Sequence, residues 1–450
     1  MAPPVGALAR FLLRLALNLY GWFAVVVLSL KRWFSGNTGT AAEERIMTGR
    51  AWAEFCDTLK AAGATVLAPG APRDAFNQAE GYRYLARLTR AGLENFVECA
   101  DVEAPRLCAI ANGSRAARVC IGSDNPDNLY ESATIDGTLE YVVTGRRGTV
   151  GYLGFGTQSG QYGAKGGLET VDYIEADQLK YDAPPTKGSG KGGGRGAAAA
   201  ANARFTIVLS ATRPADPSVN WLRLKPAPRE AMFIVRQTFG DRAAEEPASL
   251  QIVMRRSAGS GAGQPGVPPR LTAERLDAGL QSAGVLVAGA SAMFARWAYD
   301  FQRHTNRLPL FDQERSNKAG GDPNIRYYHS YWRLQPGLAM VIRFVPPRCR
   351  CWNFQLNNHW MESLDYRHHA VHTNSTLARP NPSHDGDYTI IVSHDDPNAD
   401  GVFRGNWIEC TGHECGTMCF RWVAPEVDDA LLPQPKVELV PYAALVGSSA

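Results

Sequence analysis

The stretch FTIVLSATRPADPSVNWLRL, residues 205–224, decides the fold, because its pattern returns further along the chain as YTIIVSHDDPNADGVFRGNW, residues 388–407. Each stretch begins with a run of apolar and β-branched residues, continues through Asp-Pro and then reaches Asn-Trp. Short apolar runs bounded by turn residues are typical of β-strands. The recurrence predicts two copies of one β unit.

The match extends upstream of both stretches. NPDNLY at 125–130 parallels DPNIRY at 322–327, and IDGTLEYVVTG at 135–145 parallels LQPGLAMVIRF at 334–344. The segments keep the same order in both halves of the chain, and a repeat this long excludes a solenoid of short stacked units. We therefore predict an internal duplication arranged as two tandem domains.

A helical segment precedes the β pattern in each half. Residues 74–99 place apolar side chains at helical intervals, and residues 271–304 form a longer and more apolar helical pattern. In CWNFQLN, residues 351–357, apolar and polar side chains alternate as in a strand with one buried face. The predicted fold class is α+β and mostly β, with two tandem helix-plus-β-sandwich units that are jelly-roll-like.

Low-complexity stretches set the expected boundaries. TKGSGKGGGRGAAAAAN has the composition of a flexible insertion, and SAGSGAGQPGVPP separates the two units. The predicted segments are a membrane anchor or targeting segment at 1–35, a helical region at 36–105, a first β-sandwich unit at 106–256 with a flexible insertion at 184–203, a linker at 257–269, a helical region at 270–320, a second β-sandwich unit at 321–425 and a tail at 426–450.

Residues 11–30, FLLRLALNLYGWFAVVVLSL, predict a membrane helix. Only Arg14 and Asn18 are strongly polar, and a helix of this length spans the roughly 30 Å of a bilayer core. The absence of acidic residues before Glu43 is also typical of an organelle transit peptide, so targeting is the alternative. The basic residues that follow the helix favour a cytosolic main body.

The overall composition excludes nucleic acid as a partner. The chain has 450 residues, 45% of them hydrophobic and 20% charged, and a net charge of +3. Its basic runs are short, unlike the basic surface of a nucleic-acid-binding protein. Nine cysteines, an odd number scattered through a large chain, indicate mostly reduced thiols and not a disulfide framework.

Reactive side chains concentrate in the second unit. All nine histidines follow the predicted linker, and the first β unit has none. Histidine ligates metals or transfers protons near neutral pH, and arginine binds carboxylate or phosphate through two hydrogen bonds. The candidate catalytic residues are His413, His368, His369, Arg367 and Arg421.

The segment GNWIECTGHECGTMCFRW, residues 405–422, places a histidine among three cysteines. Its spacing differs from the paired ligands of structural zinc sites, and free cysteines are commonly buried as small apolar residues. Cys349 and Cys351 would complete a site if their strand is a neighbour. The cofactor is therefore unknown, with a divalent metal possible.

Several motifs of the second unit together resemble a known family. WMESLDYR at 360–367, Asn-Trp at 406–407, Gly-His at 412–413 and GTMCFRW at 416–422 resemble the domain of unknown function 1214 family, which often occurs with the 1254 family. The resemblance is clearest over residues 325–425. It implies a β-sandwich, jelly-roll-like architecture, usually in bacterial proteins, and no settled activity.

Two functions follow as hypotheses. The first is a membrane-associated enzyme that acts on a small or lipid-like molecule in the second β unit, with histidines as acid–base groups or metal ligands. The second is a non-catalytic module whose two sandwiches bind a ligand or another protein chain. The sequence leaves open whether the protein is an enzyme.

Overall fold

The computed structural model describes residues 39–111, 120–160, 169–182, 201–255, 268–318, 321–382, 386–399 and 405–446. The membrane helix predicted over 11–30 lies outside the described residues. So do nearly all of the predicted insertion at 184–203 and nearly all of the predicted linker at 257–269.

Four helices form one layer, and two short helices follow. The helices are α1 (Gly39–Met47), α2 (Arg50–Ala62), α3 (Ala75–Leu93), α4 (Ala273–Phe301), α5 (Gln313–Lys318) and α6 (Ala443–Val446). The side chain of Asp74 caps α3 by accepting a hydrogen bond from the backbone N–H of Asn77. Thr272 caps α4 in the same way through the backbone N–H of Arg275.

Helix α4 is the centre of the helical layer, because it contacts α1, α2 and α3. The sequence predicts one helix beside each β unit, whereas both helical segments pack together and cover the second unit. Tyr331 and Trp360 of that unit join the same apolar cluster as α3 and α4. A helix that is apolar on more than one face needs neighbours on more than one side, which explains this arrangement.

One described helix, Ala273–His304, is long and apolar enough to cross a membrane. In this structure, 56% of its most apolar window is buried inside the protein, as in the core helix of a globular domain.

The first β unit consists of two sheets. Its strands are β1 (Cys108–Ala111), β2 (Asn128–Asp136), β3 (Tyr141–Arg146), β4 (Tyr152–Ser159), β5 (Glu169–Glu175), β6 (Arg204–Ser210), β7 (Asn220–Arg223), β8 (Glu230–Thr238) and β9 (Ser249–Met254). The sheet orders are β1-β2-β8-β4-β5 and β7-β6-β3-β9. A cluster of buried apolar side chains, including Phe155, Phe205 and Phe233, fills the space between the two sheets.

The second β unit also consists of two sheets. Its strands are β10 (Ile325–Arg333), β11 (Leu338–Phe344), β12 (Cys351–Leu356), β13 (His372–Asn374), β14 (Tyr388–Ser393), β15 (Asn406–Glu409), β16 (Cys415–Val423) and β17 (Lys436–Pro441). The sheet orders are β10-β16-β12-β13 and β15-β14-β11-β17. Its core is more aromatic, with Trp332, Trp352, Phe420 and Trp422 fully buried.

Strand order is the same in the two units once β1 is set aside. The order β2-β8-β4-β5 corresponds to β10-β16-β12-β13, and β7-β6-β3-β9 corresponds to β15-β14-β11-β17. All the pairings in these sheets are antiparallel except two, and those two are equivalent: β6 with β7, and β14 with β15.

The Asn-Trp motif makes equivalent hydrogen bonds in both units. Trp221 Nε1 donates to Ser210 Oγ at 3.0 Å, and Trp407 Nε1 donates to Ser393 Oγ at 2.9 Å. Each preceding asparagine donates to a backbone carbonyl of the neighbouring strand at 2.9 Å. The recurring motif therefore fixes the parallel strand pair.

One expected boundary needs correction, whereas most of the cysteines are free, as the sequence predicts. The predicted tail at 426–450 contains strand β17, which pairs with β11 in the position that β9 has beside β3. This strand has a largely exposed face, so its composition resembles that of a tail. Cys99 and Cys108 form a disulfide, whereas the other seven cysteines are free.

Candidate functional site

The outer face of the sheet β10-β16-β12-β13 carries rows of polar side chains. Facing residues on paired strands lie side by side, and alternate residues of one strand point to the same face. The first row is Tyr327, Arg421, Asn353 and Asn374, and the second row is His329, Cys419, Gln355 and His372. The opposite face of these strands is apolar and lies in the core.

Arg421 is the centre of the first row. Its guanidinium donates hydrogen bonds to Gln355 Oε1 at 2.6 Å and to the backbone carbonyl of Ser123 at 2.5 Å. Its Cζ atom also lies 5.6 Å from the ring centroid of Tyr327. Only 4% of Arg421 is exposed, so these contacts replace the water that a guanidinium would otherwise bind.

A loop of the first unit, residues 120–127, lies across this outer face. Asn353 donates to Asn125 Oδ1 at 2.6 Å, and Gln355 donates to the backbone carbonyl of Asp124 at 2.8 Å. The junction between the two units is therefore built largely from buried amide and backbone hydrogen bonds.

His329, in the second row, lies within an aromatic box. Its ring stacks on the rings of Phe301 and Tyr327, at centroid distances of 5.5 and 5.4 Å, and it makes an edge contact with Phe311. Its Nδ1 atom makes no hydrogen bond within the described residues. Burial lowers the pKa of His329 to about 3, and the charge of Arg421 acts in the same direction. The imidazole is therefore neutral at pH 7 and packs as an aromatic ring.

His413 lies against helix α3. Its Nε2 atom is 2.7 Å from Glu80 Oε2, and its Nδ1 atom is 3.1 Å from the backbone carbonyl oxygen of Cys410. Burial acts to raise the pKa of Glu80, but hydrogen bonds from His413 and Asn358 outweigh it and lower the pKa to about 2.

Hydrogen bonds connect the surroundings of His413 to Gln355, the residue that accepts a hydrogen bond from Arg421. Asn358 donates to Glu80 at 3.0 Å and accepts through its backbone carbonyl from Thr417 at 3.3 Å. Asn357 donates to Thr417 Oγ1 at 3.2 Å and accepts from Gln355 at 2.6 Å. All these groups are buried, so they form one continuous polar network.

The equivalent face of the first unit keeps only part of this pattern. Its first row is Tyr130, Arg236, Gly154 and Glu175, and its second row is Ser132, Ile234, Gly156 and Tyr173. The tyrosine–arginine pair therefore recurs, whereas serine, isoleucine, glycine and tyrosine occupy the positions of the second row.

A cavity of about 210 Å³ lies between the two first rows, and we call it the junction cavity. It is lined by side chains of both units, including the amides of five asparagines. Its charged lining residues are Asp127, Glu175, Glu245, Asp322, Arg236 and Arg350. The lining thus contains four carboxylates and two guanidiniums.

Glu175 and Glu245, two of the four carboxylates, are held at the rim of the cavity by groups of the protein. Arg350 donates to Glu175 at 2.7 Å, and Glu245 accepts hydrogen bonds from the backbone N–H groups of Gly240 and Asp241. These interactions hold the rim of the junction cavity together.

Asp127 and Asp322 form no salt bridge with lysine or arginine in the part of the chain that is described. Asp127 Oδ1 accepts hydrogen bonds from His372 and Asn374, both at 3.0 Å, and Asp322 Oδ1 accepts from the backbone N–H of Asn324 at 2.9 Å. In each carboxylate, Oδ2 makes no hydrogen bond to the described residues. Asp127 is 5% exposed and Asp322 is 7% exposed, and both line the cavity, so a bound molecule can reach these two oxygens.

Comparison with known proteins places the chain in a family. A family model described as Protein of unknown function (DUF1214) matches residues 337–427. The crystal structure of an uncharacterised protein from Burkholderia cenocepacia is similar, with a TM-score of 0.76 and 41% sequence identity over 89% of this chain and 99% of that chain. The chain belongs to the DUF1214 family.

A second solved structure, the VPA0106 protein from Vibrio parahaemolyticus, has a TM-score of 0.41 and 13% identity over 79% of this chain and 98% of that chain. No curated protein matches this DUF1214 chain.

In this DUF1214 protein, His413 and Arg421 belong to the buried polar network and do not line the junction cavity. Both ring nitrogens of His413 face oxygen atoms of the protein, so neither is left for a substrate. Arg421 likewise has its hydrogen bonds within the protein. The geometry favours positioning roles for both residues.

The structure places Arg367, His368 and His369 on one turn at the surface, away from the junction cavity lining. His369 is paired with Glu409 at 3.0 Å, and its side chain is 42% exposed. Arg367 donates to Asp365 two positions earlier. These two partners, Glu409 and Asp365, are likewise not among the residues that line the junction cavity.

The cysteines of the DUF1214 region do not form a metal site with the described histidines and acids. No group of three or more such side chains within the described ranges is arranged to hold a metal ion. Burial raises the pKa of Cys351 and of Cys410 to about 12, so both thiols keep their protons at pH 7. A protonated thiol is a poor metal ligand and a poor nucleophile.

The aspartates of the junction cavity were not among the sequence candidates. Asp127 and Asp322 lie in NPDNLY and DPNIRY, which the sequence analysis uses only as evidence for the repeat. A turn motif that recurs in two tandem units can mark the place where the units meet. The recurrence of this motif was the sequence signal that could have identified Asp127 and Asp322 as candidates.

Proposed function

We propose that the protein binds a small polar molecule in the junction cavity. The observation that carries the proposal is the pair Asp127 and Asp322, two carboxylates from different units that are 5% and 7% exposed and both line the cavity. Ligand sites are typically concave and use a few convergent polar groups for orientation. Neither unit alone supplies the complete lining.

The small size of the cavity and the carboxylates and amides in its lining favour a small ligand with polar groups over a lipid-like one. Pockets for drug-sized ligands have volumes of roughly 300–1,000 Å³ and mostly apolar walls. The junction cavity, at about 210 Å³, is smaller, and its lining combines apolar side chains such as Phe239, Ile325 and Trp352 with amides and carboxylates. An acyl chain would leave these groups without hydrogen bonds, which is unfavourable in a buried site.

Mass spectrometry of molecules released from the purified full-length protein tests the proposal. We expect one small polar compound in near-stoichiometric amount, and its loss from Asp127→Asn. Asp57→Asn, an exposed change on helix α2, is the matched control and should retain the compound. The proposal fails if no compound is released and no polar molecule of a screened set raises the melting temperature.

The hydrogen bond between Asp127 and His372 favours a second candidate, an enzyme that transfers a proton to or from the bound molecule. A carboxylate held by a histidine and an amide beside a cavity can act as a general base. In this case His372→Gln should abolish conversion of the identified compound while binding is retained. Equal conversion by the variant would remove this candidate.

The equivalent strand orders and hydrogen bonds of the two units support a further proposal, that both derive from one ancestral unit with a jelly-roll-like arrangement. A poor superposition of residues 128–254 on 325–441 would contradict it. Attachment to a membrane through residues 11–30, with a cytosolic main body, stays a prediction that protease protection of membrane fractions can test.

A further inference from the structure

We infer that the molecule bound in the junction cavity carries a positively charged amino group, an inference that rests on the proposed function. The cavity places two buried carboxylates, Asp127 and Asp322, where the protein supplies no lysine or arginine salt bridge to either among the described residues. A buried carboxylate is stable only when it is paired or fully hydrogen-bonded. A cationic ligand would supply the missing partner for both.

The charges of the lining point in the same direction. Arg350 is already paired with Glu175, and Arg236 is the second guanidinium in the lining. One further positive charge therefore faces the three remaining carboxylates, those of Asp127, Asp322 and Glu245. Within the lining, carboxylates outnumber guanidiniums by four to two, which disfavours carboxylates and phosphates as ligands.

An ammonium group fits these oxygens better than a metal ion or a neutral hydroxyl. Among the described residues, no group of three or more histidine, cysteine, aspartate or glutamate side chains is arranged for a metal ion. A hydroxyl group can donate one hydrogen bond but leaves both negative charges uncompensated. An ammonium group offers three donors and a charge, and charge-assisted hydrogen bonds are about twice as strong as neutral ones.

The asparagines of the lining suit the rest of such a molecule. Amide groups from Asn125, Asn128, Asn324, Asn353 and Asn374 line the cavity around the two aspartates. Four of them already donate hydrogen bonds within the protein, so only part of their donor and acceptor capacity is left for a ligand. A molecule with hydroxyl groups beside its amine, such as an amino sugar, would use both kinds of lining group.

Isothermal titration of the full-length protein with three sugars of matched size tests the inference. D-glucosamine, D-glucose and D-glucuronate carry a positive, a zero and a negative charge at about pH 6. We expect glucosamine to bind at least about tenfold more tightly than glucose, and glucuronate to bind most weakly. Asp127→Asn and Asp322→Asn should each reduce the glucosamine preference, whereas the surface control Asp57→Asn should retain it.

The possible outcomes separate this inference from the proposed function. Equal binding of glucose and glucosamine by the wild-type protein would overturn the amino-group inference and leave the proposed function in place. Tighter binding of glucuronate would do the same. Absence of binding by all three, together with no compound released from the purified protein, would overturn both. The comparison within the wild-type protein does not depend on whether either variant folds.

Discussion

The outer faces of the two β units have the same strand order and different contents. In the second unit the second row contains His329, Cys419 and Gln355, and it is buried beneath the helical layer and a loop of the first unit. In the first unit the same row contains serine, isoleucine and glycine. A shared backbone arrangement therefore does not impose shared chemistry, because each face adapts to the element that covers it.

Arg421 and Arg236 provide the strongest test of this comparison, because they occupy equivalent positions in the first rows. Arg421→Met should lower the free energy of unfolding by about 3–5 kcal/mol, since it leaves buried oxygen atoms of Gln355 and Ser123 without a donor. Arg236→Met, at a half-buried position, should cost only about 1–2 kcal/mol. Urea unfolding curves measure both values, and equal losses would contradict the difference described above.

His329 makes the stability of the second unit depend on pH between about 6.5 and 3, and the first unit contains no histidine that could have this effect. The pKa of His329 is about 3 in the folded protein and 6.5 in its ordinary state, so the unfolded chain takes up the proton first as the pH falls. The contribution of the neutral His329 to the free energy of unfolding is fully present above pH 6.5 and is lost as the pH falls towards 3. His329→Phe, which keeps the ring within the aromatic box, should lose about 3 kcal/mol less stability between pH 7 and pH 4 than the wild-type protein.

Urea unfolding at the two pH values, followed by tryptophan fluorescence, checks this prediction. Most of the tryptophans of the β units, including Trp332, Trp352 and Trp422, lie in the second unit, so the signal reports on the region in question. An identical loss of stability in wild type and variant would show that the buried imidazole is not responsible.

Glu80 tests the contact between helix α3 and the second unit. Glu80→Gln should cost about 2 kcal/mol at pH 7, because a charged hydrogen bond to His413 becomes a neutral one. The pKa of Glu80 is about 2 and its ordinary value is 4.5, so this stabilisation is present above pH 4.5 and is lost as the pH falls towards 2. The variant should therefore unfold with a shallower pH dependence over that interval, and an unchanged dependence would contradict the assignment.

The smallest expected change in the free energy of unfolding concerns the Asn-Trp motif, which the two units share. Trp221→Phe and Trp407→Phe each remove one hydrogen bond to a serine hydroxyl, at 3.0 and 2.9 Å. Both changes should lower the free energy of unfolding by about 1 kcal/mol, and by nearly the same amount. Guanidinium unfolding of the two variants gives the comparison, and a clear inequality would show that the motif has separate roles in the two units.

The sequence predicts the strands well and the contacts between units poorly. Runs such as FTIVLS and YTIIVS identify strands because strand formation depends on local alternation and on turn residues nearby. The predicted tail at 426–450 proved to contain the edge strand Lys436–Pro441. The sequence does not reveal this strand because its buried and exposed side chains show no clear alternation. The resemblance to the DUF1214 family is confirmed by the match over 337–427 and by the similar solved structure.

The candidate site shows why reactive residue types are an unreliable guide here. His413 and Arg421 stand out in the sequence, but their partners come from distant segments, among them Glu80 and Ser123, and those partners occupy their polar atoms. Asp127 and Asp322 become neighbours of one cavity only after two separate loops meet. No local pattern reports such a meeting, and the predictions for His368, His369 and Arg367 stay predictions without support from the cavity.

The limits of the family match have a practical consequence for anyone who expresses this region alone. Strand β10 ends before residue 337 and strand β17 begins after residue 427, yet each forms one border of a sheet in the second unit. A fragment cut at the matched residues would expose the hydrogen-bonding borders of β16 and β11 to other chains, and exposed borders of this kind promote aggregation. Cloning should start before helix α1 at Gly39 and end beyond Pro441, so that every strand keeps its neighbour and the second unit keeps its helical layer.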